Sequence, residues 1–167
     1  GGIYPKKQYQ WEKLQKPNVV DEWLKKKEHP FYQQSVSDEK LIQNCLVNYN
    51  YNAKEHESEL KIENNTTEVR HIATGFMMIK REVIECMQKA FPSTHYVDDV
   101  GYLKEEEHTH AYALFDCCVE DGHYFSEDWL FCERWKKMGG KVYANISIDL
   151  THMGTVQYEG SFLRSIL

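Results

Sequence analysis

The run EDWLFCERWKKMGGKVYANISIDL, residues 127–150, constrains this chain more than any other stretch. Its first half spaces apolar residues as a helix does, with Leu130, Phe131, Trp135 and Met138 on one face. Ser126 stands where an N-cap belongs. Glu127 and Asp128 fill the first turn and Lys136 and Lys137 the last, so both ends complement the helix dipole. Gly139-Gly140 is a stop signal. The second half alternates, placing Val142, Ala144, Ile146, Ile148 and Leu150 on one side of a strand over 141–150. A helix that turns through two glycines into a strand belongs to mixed α/β architecture.

The remaining segments fit that class. Val19, Val20, Trp23 and Leu24 predict a helix over 18–27, after Pro17 and with lysines in its last turn. Residues 44–51 and 58–63 read as a strand pair joined by a polar loop at 52–57. The apolar stretch from Ile72 to Ile79 reads as a buried strand. Gly75 within it marks a close approach of another backbone or a ligand. Val83, Ile84, Met87 and Ala90 then predict a helix ending before Pro92. Residues 93–125 lack periodicity but hold Tyr96, Tyr102, Tyr112, Phe115, Tyr124 and Phe125, which predicts an ordered functional loop. With 167 residues, 41% of them hydrophobic, the chain suits one domain with its own core.

Charge and cysteines narrow the function classes. A net charge of −6 argues against nucleic-acid binding. No apolar run approaches the roughly 20 residues that span a bilayer. Five cysteines, two of them the adjacent Cys117-Cys118, predict free thiols in a reducing compartment such as the cytoplasm. Three glycosylation-type triplets, at Asn64, Asn65 and Asn145, are of a kind that arises by chance. Gly1-Gly2-Ile3 resembles a strand end entering a loop, so the sequence is expected to be a fragment.

Four groups could hold chemistry. Glu127-Asp128 has two readings: the acidic first turn of a helix, or a rigidly placed general base. His152 follows a strand and precedes a glycine in DLTHMGT, where it is either structural or a divalent-metal ligand. Tyr4, Lys6, Lys7, Tyr9 and Trp11 lie in YPKKQYQWEK, either an ordinary surface segment or a site for an anion and a ring. His108 and His110 with Cys117 and Cys118 lack the spacing of a zinc signature. Glu105-Glu106-Glu107 reads as a solvated face.

In that order, GGIYPKK…WEK, ATGFMMIKREV, LFD and YFSEDWLFCERWKKMGGKVYANISIDLTHMGT…YEG resemble the C-terminal part of GT-A-fold glycosyltransferases. The likeness is to the family 2-like enzymes of bacteria and large viruses. It covers most of residues 1–160 and is most specific over 124–154. It implies a Rossmann-like GT-A fold, a mixed sheet with flanking helices. Residues 1–167 would form the single domain on its acceptor and metal side.

The resemblance implies a nucleotide-diphosphate sugar donor, a glycan or other hydroxyl acceptor, and manganese or magnesium. Asp128 takes the place of the general base of inverting members, with Glu127 beside it, and His152 that of the late metal ligand. Thr74 and Gly75 fall on the pocket-lining strand. Tyr4, Lys6, Lys7 and Trp11 follow the metal-binding DxD strand, and Ser126 precedes the acids. The sequence contains no DxD. Asp98-Asp99 lies in the wrong place, so the nucleotide-binding half is expected before Gly1. A non-catalytic sugar-binding or assembly module derived from such an enzyme is the alternative.

Overall fold

A computed structural model describes residues 1–30, 37–53 and 60–166. Strand β1 (Pro5–Tyr9) leads through a 3-10 turn to helix α1 (Val19–Glu28). Helix α2 (Asp38–Leu46) runs directly into β2 (Val47–Tyr49), and β3 (Thr66–Val69) and α3 (Arg81–Ala90) follow. The hairpin of β4 (Cys118–Glu120) and β5 (His123–Phe125) enters α4 (Glu127–Lys137) and then β6 (Val142–Asn145). Last come β7 (Leu150–Met153), β8 (Gln157–Gly160) and the short α5 (Phe162–Ile166).

The architecture mixes helices with small antiparallel sheets. β1 pairs with β2, β3 with β6, β4 with β5 and β7 with β8, all antiparallel. A parallel contact enters as the Gly2–Asn145 bridge, where the Asn145 amide donates to Gly1 O at 2.7 Å. The first residues thus run beside β6, and Ile3 enters the core at 1% exposure.

The helix expected over 18–27, the one through Val83, Ile84, Met87 and Ala90, and the one through Leu130, Phe131 and Trp135 are present as α1, α3 and α4. The strands needed more correction. Asn44, Cys45 and Leu46 are the last turn of α2, and only Val47–Tyr49 is extended. β2 pairs with β1, not with the described residues 60–63 of the expected partner strand. Residues 54–59 lie outside the described residues. Glu63 instead closes a tight turn onto Thr66, with Asn64 and Asn65 at φ 50° and 59°. Paired asparagines tolerate that left-handed backbone. The turn launches β3, whose Thr67 and Val69 face inward.

The stretch from Ile72 to Ile79 is not a strand. Ile72 and Ala73 are buried, but a 3-10 turn at Thr74–Phe76 then lifts the chain to the surface, and Met78 is 87% exposed. The Phe76 carbonyl accepts from the Gly2 amide at 2.9 Å instead of joining a ladder. The strand expected over 141–150 divides in two. Asn145 Oδ1 accepts from the Ser147 amide and hydroxyl, at 2.9 and 2.8 Å. That side-chain turn competes with the ladder. Alternation survives the break, since Ala144 and Ile146 are buried and Tyr143 and Ser147 exposed.

Helix α4 stands between two apolar cores. Cys132 joins Ile3, Val69, Ile72, Ala144 and Ile146 on one side. Phe131 joins Met87 and Leu114 on the other, and Phe115 stacks on it at 4.3 Å. Arg134, 7% exposed, extends the second anchorage. Its guanidinium donates to Asp116 Oδ1 at 2.6 Å and to the carbonyls of Ala113 and Leu114. A helix gripped from both sides has a fixed N-terminus, and that is where the acids lie.

Candidate functional site

Asp128 and Glu127 differ in placement. Asp128 is half-buried and Glu127 exposed. Ser126 has the extended backbone of an N-cap and its carbonyl accepts from the Leu130 amide. Its side chain does not cap the helix, because the hydroxyl donates to Asp128 Oδ1 at 2.5 Å. The Trp129 amide also donates to Oδ1, at 2.9 Å. Two donors on one oxygen fix the carboxylate plane. Among the described residues Oδ2 has no hydrogen-bond partner, so it is open to an incoming hydroxyl. Glu127 receives only a long contact from the Cys117 thiol, at 3.9 Å.

Sequence reasoning missed the support behind Asp128. Trp129 stacks flat on His71, with ring centroids 4.3 Å apart. His71 is 2% exposed, and its Nε2 lies 2.6 Å from Glu133 Oε1. Arg70 and Lys136 donate to the same Glu133 oxygen, each at 3.1 Å. Burial alone would raise the Glu133 carboxyl, but hydrogen bonds from Arg70, Lys136 and His71 outweigh it and hold it at about 2. Burial pushes His71 below its ordinary value despite the Glu133 carboxylate beside it. A charged residue at 133 on a face that also buries Cys132 and Leu130 was the available signal.

His152 sits on β7 at a second locus. Its Nδ1 lies 3.0 Å from the Pro5 carbonyl, which can only accept. Nδ1 therefore holds the proton and a neutral ring keeps its lone pair on Nε2, the usual preparation of a metal-ligating histidine. Tyr4 packs edge-on against the ring at 5.0 Å, and Asn50 donates to the Tyr4 hydroxyl at 2.8 Å. Tyr158 lies opposite His152 across the β7–β8 pair. Tyr9 packs on Tyr158 at 5.2 Å and Trp11 on Tyr9 at 5.5 Å, forming a stair of rings that ends in a 61% exposed indole. Lys7 borders this stair beside Gly154. Lys6, one residue earlier on β1, opens onto a different cavity.

Residues 70–76 connect the two loci. The Cys132 thiol, one turn beyond Asp128, reaches the Ile72 carbonyl at 3.9 Å. The chain continues through Thr74 to Gly75, where a Cβ would lie 3.1 Å from the Tyr4 ring. The close approach expected at Gly75 is thus an aromatic edge. The Trp129–His71 stack and the packing of Gly75, Tyr4 and His152 lie at the two ends of residues 71–75, and that stretch of chain joins them. Thr74, Gly75 and the following Phe76 are exposed.

The histidine–cysteine group does not converge. Cys117 lies against Glu127 and Cys118 against Glu120, while the His108 carbonyl bonds the His95 ring. Among the described residues no three His, Cys, Asp or Glu side chains gather as a metal-sized group. All five cysteines are free. Among the described residues no helix is long and apolar enough to cross a membrane. No family model, curated protein or solved structure matches the chain.

Proposed function

We propose that the chain is the acceptor and metal side of a GT-A-type glycosyltransferase. It transfers a sugar from a nucleotide-diphosphate donor to an acceptor hydroxyl with inversion. The reading is supported chiefly by the continuity between Asp128 and His152, two residues 24 positions apart that the resemblance pairs in one site. Trp129 stacks on His71 at one end of residues 71–75, and Gly75 approaches Tyr4, which packs on His152, at the other.

In this mechanism Asp128 Oδ2 takes the proton of the acceptor hydroxyl as its oxygen attacks the anomeric carbon. The bond to the donor diphosphate breaks on the opposite face of the sugar. Ser126 and the Trp129 amide hold the carboxylate in place during attack. His152 Nε2 would be one ligand of manganese or magnesium. When bound, that ion would supply charge neutralisation for the diphosphate. Lys7 adds a cation nearby, and the exposed Trp11 and Tyr9 rings offer a stacking surface for the donor. The side chain of Glu127 is free to contact the acceptor.

The test is sugar transfer by the intact protein, measured by mass spectrometry with a panel of nucleotide-diphosphate sugars and manganese. Transfer with one donor is the expected result, and His152→Ala should raise the manganese concentration needed for half-maximal rate at least tenfold. An unchanged manganese titration would remove His152 from the metal site. Donor binding without transfer would favour the sugar-binding module.

A further inference from the structure

A cavity of about 520 Å³ lies on the other side of β1 from His152, bounded by α1, α2, β2 and α5. Its volume falls in the range of small-molecule sites. Lys6, Lys13, Lys16 and Lys26 line it, against the single carboxylate of Glu22. The balance is 4 − 1 = +3 in a protein of net charge −6. So local an excess of one sign in a protein of the opposite sign calls for an anion.

Two of the four ammonium groups, those of Lys13 and Lys26, are held by neutral acceptors. Lys13 Nζ donates to the Val47 carbonyl at 3.1 Å and to Asn48 Oδ1 at 2.9 Å. Lys26 Nζ donates to the carbonyls of Ser165 and Arg164, at 2.9 and 3.4 Å. These acceptors are neutral, so each ammonium keeps its charge and a third N–H. Among the described residues no ion pair joins any of the four lysines to a carboxylate. Burial first, and then the Lys16 cation, push the Lys13 ammonium below its ordinary value. The charge of an anion at the cavity would offset the Lys16 repulsion and favour the charged form of Lys13.

The half-buried rings of Tyr49 and Tyr51 border the same cavity, with Phe162, 7% exposed, packed behind them. Phe162 packs against Tyr49 at 5.4 Å and against Tyr51 at 5.2 Å, and all three line the space. Lysines suit phosphate as point charges, and aromatic faces suit a planar ring.

We infer that this cavity is a second ligand site, taking a small molecule that joins a phosphate or diphosphate to a planar ring. It does not depend on Asp128 or His152, because alternation along β1 sends Lys6 and Lys7 to different sides. Isothermal titration calorimetry of the chain with adenosine diphosphate and with pyrophosphate tests it. Both bind, and the ring-bearing probe binds at least tenfold more tightly. The double variant Lys6→Gln with Lys16→Gln weakens both at least tenfold while keeping its circular dichroism spectrum. The titrations are run without divalent metal, which the proposed donor site needs, so His152→Ala leaves both unchanged and this site is separated from that one. The control Lys80→Gln with Lys104→Gln removes the same charge elsewhere and has no effect. The inference fails if neither probe binds, or if the probes bind equally. It fails equally if His152→Ala abolishes binding, or if the control weakens it as much as the cavity variant.

Discussion

Glu133 concentrates three partners on one carboxylate oxygen, and its removal or protonation should be felt beyond its own contacts. Its folded-state value of about 2 is depressed from the model-compound 4.5. Such a group contributes stability that is complete above pH 4.5 and is lost as pH falls towards 2. His71 acts in the same direction, since burial lowers it, and the unfolded chain takes up the proton first as pH drops below 6.5. Chemical denaturation should therefore show stability falling from about pH 6.5 downwards and steepening below pH 4.5. Glu133→Gln should flatten the lower part of that curve, at a cost of roughly 2 kcal/mol at neutral pH after solvent screening is allowed for. A curve unchanged by the substitution would mean the cluster is energetically idle. At this scale the acids of the first turn were legible in the sequence. The division of labour between them was not, because it depends on Ser126 choosing Asp128 over the backbone.

Helix α4 was the most legible element, and its two terminal glycines have distinct reasons. Gly139 adopts φ +84°, the left-handed backbone that closes helices at little cost only for glycine. Gly140 has no such constraint. There a Cβ would collide with the Trp135 ring, which covers that position while its Nε1 donates to the Lys141 carbonyl. Gly139→Ala should cost about 1 kcal/mol through strain. Gly140→Ala should cost about 1–3 kcal/mol by displacing the ring, with a change in tryptophan fluorescence that Gly139→Ala does not produce. Asp116→Asn tests the buried side of the same last turn, where Arg134 is anchored. It leaves Arg134 buried with only carbonyl partners, for an expected loss of about 2 kcal/mol in denaturant titrations. Helices were readable because each was written in one continuous period. Strands were not, because their partners were distant or polar. TTEV became β3 only because the Asn64-Asn65 turn and the β6 partner received it, and Ile72–Ile79 left the sheet because Gly2 claimed the Phe76 carbonyl.

At the scale of the molecule, two cores meet at α4 and orient its N-terminus towards residues 70–76. The mixed α/β class was visible from a helix running into a strand. The small antiparallel sheets among the described residues were not, since their pairing joins residues as far apart as Thr66 and Asn145. Nor could periodicity reveal that Lys6 lines a cavity while Lys7 lies beside Gly154, or that Tyr158 completes a stair of rings begun by Trp11. The account rests on Asp128 as the base, and one comparison tests that most directly. Single-turnover sugar transfer is measured for the wild type, Asp128→Asn and Glu127→Gln, with donor binding followed in parallel. Asp128→Asn should lose roughly 10²–10⁴-fold in rate with donor affinity intact, and Glu127→Gln far less. Transfer by Asp128→Asn at the wild-type rate would contradict the account.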